Sequence, residues 1–461
     1  MADRHWNWIF RPRALAAAIL VAGFVAALAV NLPGHLEFDS VVQLLEGRSG
    51  VYSNWHPPIM SWLLGVGDAL LPGAAAFVIF DATLAFGAIA SLLWLVKRPA
   101  WPAVAAAATV VALPQLFLFQ AIVWKDILFA DSCLAGFVCL AHAAAQRNSP
   151  RRRFALLAAA ALFTTLAVLT RQNGFVILPC AAVALGLIAA RGGERHLGIV
   201  HGAGFFVACV ALALGVNALL QLRATKALGA VEQVEDLQLY DIAGMMTREP
   251  GLALPILEKQ TPALARLMHA KGARLYTPAA HDPLADTPGM GNLIEPATAA
   301  VSRQWRALVL AHPGDYLAVR AQDFAWLFLS RHPGQCVTYI VGVDGPASDM
   351  QALHLRPRYD DRDAWLDDDY ATPLIGTPAF SHPFFAVVGL VSLVLLLRRR
   401  RPADLALAGL LAASMLYALS YFAISIACEY RYLYALDLSA LAAAFYLLAD
   451  FRFSADRARS A

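Results

Sequence analysis

Residues 14–32, ALAAAILVAGFVAALAVNL, form an apolar run without a single charged side chain. A helix needs roughly 20 residues to cross the hydrocarbon core of a bilayer, and this run has that length. Arg11 and Arg13 stand directly before it, and Glu37 and Asp39 follow soon after it. Because Lys and Arg concentrate on the cytoplasmic side of membrane proteins, the stretch predicts a first membrane span with the two acids outside.

The rest of the chain repeats this pattern. Of its 461 residues, 59% are hydrophobic and 15% charged, whereas soluble domains carry about 25% charged residues. We therefore predict an all-α polytopic membrane protein with about ten transmembrane helices. The predicted spans are residues 14–32, 74–96, 102–119, 127–145, 154–170, 174–190, 199–221, 382–397, 403–426 and 432–449.

The connections between these spans alternate in charge. Half of all Lys and Arg residues fall on one side: Arg4, Arg11, Arg13, Lys97, Arg98, Arg147, Arg151, Arg152, Arg153, Arg191, Arg195, Arg398, Arg399, Arg400, Arg401, Arg452, Arg457 and Arg459. This side is expected to be cytoplasmic, together with both termini. The net charge of +3 then reflects topology, and no nucleic-acid partner is expected.

The same alternation predicts the domain organisation. An N-terminal transmembrane module, residues 1–221, contains a first outer loop at residues 33–73. Residues 222–381 form a mostly helical extracytoplasmic domain, and residues 382–461 a C-terminal transmembrane module. The six cysteines show no metal-ligand spacing and imply no disulfide framework, since most lie in apolar spans.

Polar and aromatic side chains beside the outer ends of the spans are few. An ionisable group next to the bilayer core is costly unless it is partnered, so each is a candidate functional residue. We expect them to meet in one cavity at the outer rim of the membrane; the alternatives are ion pairs that stabilise helix ends and, for tryptophan, an interfacial belt. Asp81 and Asp437, inside spans, fit either a role in function or a hydrogen bond to a neighbouring helix. The candidates are Glu37, Asp39, Trp55, His56, Lys125, Asp126, Arg171, Glu429 and Arg431.

Carboxylates combined with several cations suit transfer from a phosphate leaving group. Lys and Arg hold the phosphate and stabilise developing charge, and a carboxylate takes a proton from the acceptor. The sequence contains no helical His-Glu-x-x-His, no Gly-x-Ser-x-Gly and no glycine-rich phosphate loop. A site outside the cytoplasm has no access to nucleotide sugars, so an activated donor would arrive on a lipid phosphate.

Several motifs occur in the order found in a known family. The first outer loop has an acid, Asp39, followed by HPPIMSWLLGVGDALLPG at residues 56–73. Later come WKD, TRQNG, HPGDYLAVRAQDF and EYRY, at residues 124–126, 170–174, 312–324 and 429–432. In this order they resemble the C-type (GT-C fold) membrane glycosyltransferases that use polyprenyl-phosphate sugars. They are similar to the bacterial aminoarabinose/mannosyl transferase superfamily, although His56 stands where many members have Lys.

The resemblance implies roles for these residues. Asp39 would be the general base, and Lys125, Arg171 and Arg431 would clamp the donor phosphate. Asp126, as second acid, and Glu429 would orient the bases, position the acceptor or hold a divalent cation. Glu37, Asp39 and Asp126 offer oxygen ligands for such an ion, and no other cofactor is expected. Trp55 and His56 would lie over the pocket.

The implied reaction is transfer, with inversion, of a sugar from a polyprenyl-phosphate donor to an extracytoplasmic glycan, lipid or protein. The implied location is a bacterial-type cytoplasmic (inner) membrane. Two alternatives remain open: a transporter or flippase of a lipid-linked glycan, and a polysaccharide ligase or polymerase. A transporter is expected to show related halves and broken spans at midplane depth, and a ligase an Arg-rich outer loop between late spans.

Overall fold

The computed structural model describes residues 3–53, 55–146, 149–191, 195–223, 231–294, 297–330 and 332–451. Arg147, Arg452, Arg457 and Arg459 of the predicted basic clusters lie outside the described residues. The α-helices, in chain order, are α1 Asp3–Asn31, α2 Phe38–Ser49, α3 Pro58–Leu70, α4 Ala75–Leu92, α5 Pro102–Ala112, α6 Pro114–Phe117, α7 Lys125–Ala145, α8 Pro150–Thr170, α9 Ile177–Ala190, α10 Arg195–Gln221, α11 Val231–Arg248, α12 Pro255–Gln260, α13 Pro262–Leu267, α14 Ala273–Leu275, α15 Asp282–Ala285, α16 Met290–Ile294, α17 Thr298–Ala311, α18 Pro313–Leu329, α19 Ala347–Ala352, α20 Asp361–Ala364, α21 His382–Arg399, α22 Pro402–Ile424 and α23 Tyr434–Ala449.

Short 3₁₀- and π-helical segments complete the secondary structure. They are the 3₁₀ segments Phe119–Ala121, Gln172–Val176, Thr372–Leu374, Pro378–Phe380 and Tyr430–Leu433, and the π segments Met268–Gly272 and Trp365–Ala371. Within the described ranges, extended pairing is limited to three isolated bridges.

The predicted membrane spans are confirmed as helices. In the described part of the chain, nine helices are long and apolar enough to cross a bilayer. A tenth span results if the bent pair Pro102–Ala112 and Pro114–Ala121 counts as one. The pair bends by 65° at Leu113, where Pro114 removes a backbone donor and disfavours helical geometry in the residue before it. The protein is therefore an all-α, multi-pass membrane protein.

The chain forms two compact units. Unit 1 comprises Met1–Lys226, Tyr339–Ala418 and Leu433–Ala461, and unit 2 comprises Ala227–Thr338 and Leu419–Tyr432. Residues 222–381, predicted to form one extracytoplasmic domain, are thus divided between the units near Tyr339. The functional division into modules stays a prediction.

Helix α7 lies at the centre of unit 1. In the most apolar 18-residue stretch of α7, 89% of the residues are buried, whereas the corresponding share for α10 is 11%. The stacked rings of Phe129 and Tyr417 lie 4.1 Å apart, which packs α7 against α22. Since aromatic rings bury large areas in fixed orientations, this contact fixes the N-terminal part of α7 against α22.

Buried acids inside this bundle bond to neighbouring helices. The carboxyl groups of Asp81 on α4 and Asp131 on α7 hydrogen-bond each other. Asp437 on α23 lies 3.0 Å from Nδ1 of His382 at the start of α21. Hydrogen bonding between helices, one of the two explanations considered for Asp81 and Asp437, is therefore present at both.

Unit 2 is a small helical body with its own apolar core. Ile242 on α11, Val301 on α17 and Val319 on α18 belong to this core, each at most 1% exposed. The unit also contains a disulfide between Cys336 and Cys428. The sequence implied no disulfide framework and so did not predict this bond, because the two cysteines are separated by 92 positions and only the fold brings them together.

Candidate active site

The loop that follows α1 is held between two other parts of unit 1. The His35 N–H donates to the Ala121 carbonyl at 2.8 Å, and the Val123 N–H donates to the His35 carbonyl at 3.0 Å. On the other side, the Leu36 N–H donates to the Gly342 carbonyl at 3.0 Å. These backbone bonds place His35 and Leu36 close to the N-terminal end of α7, which begins at Lys125. The residues that follow Leu36 therefore start beside this helix end.

A buried polar network fixes the same stretch. His35 is fully buried, with Nε2 2.9 Å from the Asn31 side-chain oxygen. Its Nδ1 accepts from the Gly342 N–H at 2.9 Å. Arg358 donates to the Gly34 carbonyl and to Asp363, both at 3.0 Å. Burial and the Arg358 charge lower the pKa of His35 to about 4, so its ring stays neutral and keeps one donor and one acceptor nitrogen.

Asp39, His56 and Lys125 meet where these elements converge. The Lys125 ammonium donates to His56 Nδ1 at 2.9 Å and lies 3.9 Å from Asp39. His56 Nε2 lies 3.5 Å from the other Asp39 oxygen. Asp39 is 24% exposed and therefore reaches solvent, whereas His56 is buried.

The protonation state of His56 follows from these contacts. Burial, and then the neighbouring Lys125 charge, lower the pKa of His56 below its ordinary 6.5, while Asp39 opposes this shift. Because an ammonium group only donates, Nδ1 must be the acceptor and the neutral ring carries its proton on Nε2, facing Asp39. His56 therefore links the lysine to the carboxylate.

The loop that carries His56 is anchored from α2. Glu46 accepts hydrogen bonds from the Ser53 N–H at 2.9 Å and from the Ser61 hydroxyl at 2.7 Å. Pro57 and Pro58 then begin α3, where proline is favoured because it needs no intrahelical donor. The Pro-Pro pair thus terminates the loop and fixes His56 at the entry of a helix.

Helices α2 and α3 approach so closely that only glycine fits at their crossing. A Cβ atom on Gly47 would lie 2.1 Å from the Ser61 carbonyl oxygen, and one on Gly65 2.2 Å from the Gly47 carbonyl oxygen. This contact is backbone on backbone and has no flexible side chain that could yield. The crossing is not predictable from the sequence, since neither glycine belongs to a turn pattern.

We expect Gly47→Ala to destabilise the protein by about 1–3 kcal/mol, the usual cost of overpacking a close-packed contact. Thermal unfolding in detergent measures the effect. Gly87→Ala on α4 is the matched control, because a Cβ atom there meets nothing within 4 Å. Equal melting temperatures for the Gly47 variant and the wild-type protein would contradict the close crossing.

A second acid–base pair adjoins the first group. Asp126, at the start of α7, has both carboxylate oxygens 3.3 Å from Arg171 Nη1. Asp126 is 2% and Arg171 13% exposed. Glu37 accepts from the Trp124 indole N–H at 2.9 Å. Because Lys125 and Asp126 are consecutive, the two groups share one end of α7.

The remaining three predicted residues are described by exposure and by unit. The Trp55 side chain is 40% exposed. Glu429 and Arg431 belong to unit 2, where they form an ion pair with each other. Of the nine residues predicted for the site, unit 1 brings together Asp39, His56, Lys125, Glu37, Asp126 and Arg171.

The carboxylates do not fit a shared divalent cation. Asp39 faces His56 and Lys125, both oxygens of Asp126 face Arg171, and Glu37 accepts from an indole. Each acid therefore has its own donor or cation, whereas Ca²⁺ and Mg²⁺ sites need several oxygens converging on one point. In the described part of the chain, the group with metal-ligand spacing is the partly exposed Glu249, His312 and Asp315 in unit 2.

No protein-family model and no curated protein matches the chain. Similar solved structures include an archaeal oligosaccharyltransferase, AglB from Archaeoglobus fulgidus, in complex with an inhibitory peptide and a dolichol-phosphate. There the TM-score is 0.41, with 13% identity over 94% of this chain and 50% of the other. The oligosaccharyltransferase from the same organism with Zn and sulfate gives a TM-score of 0.42, with 15% identity over 94% of this chain and 48% of that one.

ArnT from Cupriavidus metallidurans in the apo state is also similar, with a TM-score of 0.32 and 14% identity over 97% of this chain and 78% of that chain. The protein spans about half the length of the oligosaccharyltransferase chains. At these values the likeness by itself assigns neither a family nor an activity, and the function rests on the geometry of the site.

Proposed function

We propose that the protein is an integral-membrane glycosyltransferase that moves a sugar from a polyprenyl-phosphate donor to an extracytoplasmic acceptor. The observation that supports it is the meeting of Asp39, His56 and Lys125 beside the Asp126–Arg171 pair at one end of α7. A partly exposed carboxylate next to fixed cations suits the activation of an acceptor and the stabilisation of a phosphate leaving group.

In the proposed reaction, Asp39 accepts a proton from a hydroxyl or amine of the acceptor. The freed electron pair forms a bond to the anomeric carbon while the bond from that carbon to the phosphate oxygen breaks. The phosphate leaves on the polyprenyl chain, and Lys125 and Arg171 stabilise its charge. Displacement in a single step inverts the configuration at the anomeric carbon.

The neutral His56 ring would act as a positioning group. It accepts from Lys125 on one nitrogen and faces Asp39 with the other. This arrangement would hold the ammonium and the carboxylate apart at 3.9 Å, so that the acceptor can approach Asp39 and the phosphate can approach Lys125. A tighter ion pair would leave less room for either.

Two observations support a site outside the cytoplasm, with both termini inside. Basic residues concentrate in the connections on the other side of the spans. The disulfide joins Cys336 and Cys428, which both lie in connections predicted to be outside. Stable disulfides form in oxidising compartments and are rare in the cytosol.

Transfer is tested with purified protein in liposomes and a panel of synthetic polyprenyl-phosphate sugars. A glycosyltransferase consumes the donor and releases polyprenyl phosphate as the acceptor gains a sugar, which mass spectrometry detects. A flippase would move the lipid-linked sugar across the membrane and leave it intact. A polysaccharide ligase or polymerase would leave these donors intact and would release polyprenyl pyrophosphate only when a pyrophosphate-linked glycan is supplied. No release of polyprenyl phosphate with any donor would overturn the proposal.

Transfer should not depend on a divalent cation. Each carboxylate of the site already faces a donor or cation of the protein, and Lys125 supplies positive charge next to Asp39. We therefore expect the transfer rate to be unchanged after treatment with EDTA. A loss of activity that Mg²⁺ or Mn²⁺ restores would show that the carboxylates rearrange to bind a metal ion.

A further inference from the structure

Two stretches of unit 2 carry an excess of positive charge. They are residues 255–275, which contain α12, α13, a π segment and α14, and the helix α17. Together they contain six Lys and Arg residues and one acid, Glu258, which gives a net charge of +5, whereas the whole chain has +3. The six residues, which we call the basic surface, are Lys259, Arg266, Lys271, Arg274, Arg303 and Arg306.

The side chains of the basic surface are all exposed. Within the described residues, none of the six forms an ion pair with an acid. Arg303 donates to the side-chain oxygen of Gln260, and Arg306 donates to the Ser302 carbonyl, and both acceptors are neutral. Because neighbouring like charges repel one another, this excess is unfavourable for the free protein and favours an anionic partner.

Contacts between the elements place these cations on adjoining helices. The bond from Arg303 to Gln260 joins α17 to the end of α12. The Glu258 carboxylate of α12 lies 3.0 Å from Nε2 of His269 in the π segment. Helix α12 therefore connects the two halves of the basic surface, and the one acid of the two stretches already has a partner.

The same helices place most of their large apolar side chains inward. Leu257, Leu264, Met268 and Leu308 belong to the core of unit 2, and each is at most 4% exposed. On these two stretches, Leu310 is the one large apolar side chain that is exposed. A helix that lies in a bilayer surface presents a whole face of Trp, Phe or Leu residues, so the basic surface does not have the composition of a lipid-inserting face.

Aromatic anchors are also missing from the exposed side of these helices. The two stretches contain a single Trp, Tyr or Phe residue, Trp305, and its indole N–H donates to the buried Asp241 at 2.8 Å. Single-stranded nucleic acids stack on exposed aromatic rings, and protein partners bind chiefly through buried aromatic and arginine anchors that fit pockets. Exposed charge is therefore the feature that this surface offers to a partner.

The position of this charge in the chain needs an explanation other than membrane topology. Lys and Arg mark the cytoplasmic side in short connections beside the spans, whereas long segments cross the membrane largely regardless of their charge. The Cys336–Cys428 disulfide of the same unit favours an oxidising compartment outside the cytosol. The polyanions of such compartments include polysaccharides whose sugars carry carboxylate or phosphate groups.

We propose that the basic surface of unit 2 binds an anionic polysaccharide through its carboxylate or phosphate groups. A flexible polyanion can follow cations that are spread over several helices, and clusters of Lys and Arg attract such polymers through their summed field. Binding weakens as the salt concentration rises, because salt screens exposed charges. This inference concerns unit 2 alone and does not depend on the proposed transfer reaction.

The experiment uses the full-length protein in phosphatidylcholine nanodiscs with fluorescently labelled polygalacturonate. Fluorescence anisotropy gives the Kd at low and at high NaCl concentration. Dextran and polyglutamate of similar chain length are the comparison probes, since dextran is a neutral polysaccharide and polyglutamate is a carboxylate polymer without sugars. We expect polygalacturonate to bind most tightly, with a Kd that rises with salt, and dextran to show no binding.

Two triple variants test the two halves of the surface. They are Lys259→Gln/Arg303→Gln/Arg306→Gln and Arg266→Gln/Lys271→Gln/Arg274→Gln. Each should raise the Kd for polygalacturonate about tenfold, because three exposed ionic contacts, each weak by itself, are lost together. Thermal unfolding checks that the variants are folded.

The matched control removes three exposed positive charges from unit 1 and should leave the Kd unchanged. It is Arg151→Gln/Arg152→Gln/Arg356→Gln. An unchanged Kd in either variant of the basic surface would overturn the proposal, and so would an equal loss in the control, since affinity would then follow the net charge of the whole protein. Equally tight binding of dextran would overturn the role of charge, and tighter binding of polyglutamate would overturn the assignment to a polysaccharide in favour of an acidic protein.

Discussion

Asp39→Asn is expected to lower the rate of sugar transfer by about 10²–10⁴-fold, the range in which removal of a general base falls. Asn has nearly the same shape as Asp but accepts no proton from the acceptor. Donor binding should survive, because Lys125 and Arg171 remain in place and the loop is held by backbone bonds at His35 and Leu36. Transfer is measured by release of polyprenyl phosphate, and donor binding by native mass spectrometry.

The matched control for this variant is Asp344→Asn. Asp344 is exposed, its N–H donates to the Leu36 carbonyl, and its side chain accepts only from the adjacent Gly345 N–H among the bonds described for it. This variant changes a charge next to the same loop without touching the Asp39 group, so its transfer rate should match that of the wild-type protein. Full activity of Asp39→Asn would reject Asp39 as the base, and loss of donor binding would indicate that its charge serves to hold Lys125.

Arg171→Ala is expected to weaken donor binding by about 10–100-fold, which corresponds to the roughly 1.5–3 kcal/mol contributed by a hydrogen bond to a charged group. It should also reduce the free energy of unfolding by about 3–5 kcal/mol, because the buried Asp126 carboxylate would lose the compensating Arg171 charge. Asp126 is 2% exposed and has both oxygens at 3.3 Å from Arg171. Titration of the donor and thermal unfolding measure the two effects.

The double variant Arg171→Ala/Asp126→Asn separates the effects. The asparagine side chain carries no charge, so the double variant should recover most of the stability lost in the single variant. Donor affinity should stay low, since the cation that binds the phosphate is still missing. Recovery of donor affinity together with stability would show that Arg171 serves the fold alone.

The membrane architecture could be predicted closely from the order of the residues. An apolar run such as residues 14–32 crosses a bilayer as a helix, because the lipid offers no hydrogen-bond partner and every backbone polar group must bond within the segment. Even the bend between α5 and α6 has a local cause in Pro114. Cys336 and Cys428 could not be paired in this way, since no spacing rule connects two cysteines that lie in different loops.

The candidate site was predictable in its residue types but not in its arrangement. Charges next to apolar spans pointed to Asp39, Lys125, Asp126 and Arg171 because such groups are costly without partners. The supporting residues His35, Glu46 and Arg358 gave no such signal, since they lie in polar segments away from the apolar spans, where histidine, acids and arginine are common. The hydrogen bonds of His35 and Arg358 with this loop exist only after residues 34–36 have paired with residues 121–123 and 342–343.

The sequence by itself determined where the chain crosses the membrane, because hydrophobic length is a local property of each segment. The tertiary structure decided which charges act on one another: Lys125 with His56 and Asp39, Arg171 with Asp126, and Arg431 with Glu429. The physical reason is that electrostatic interactions depend on distances of a few ångströms between residues that are far apart in the chain. Backbone pairing and close helix crossings set these distances, and neither leaves a periodic pattern in the sequence.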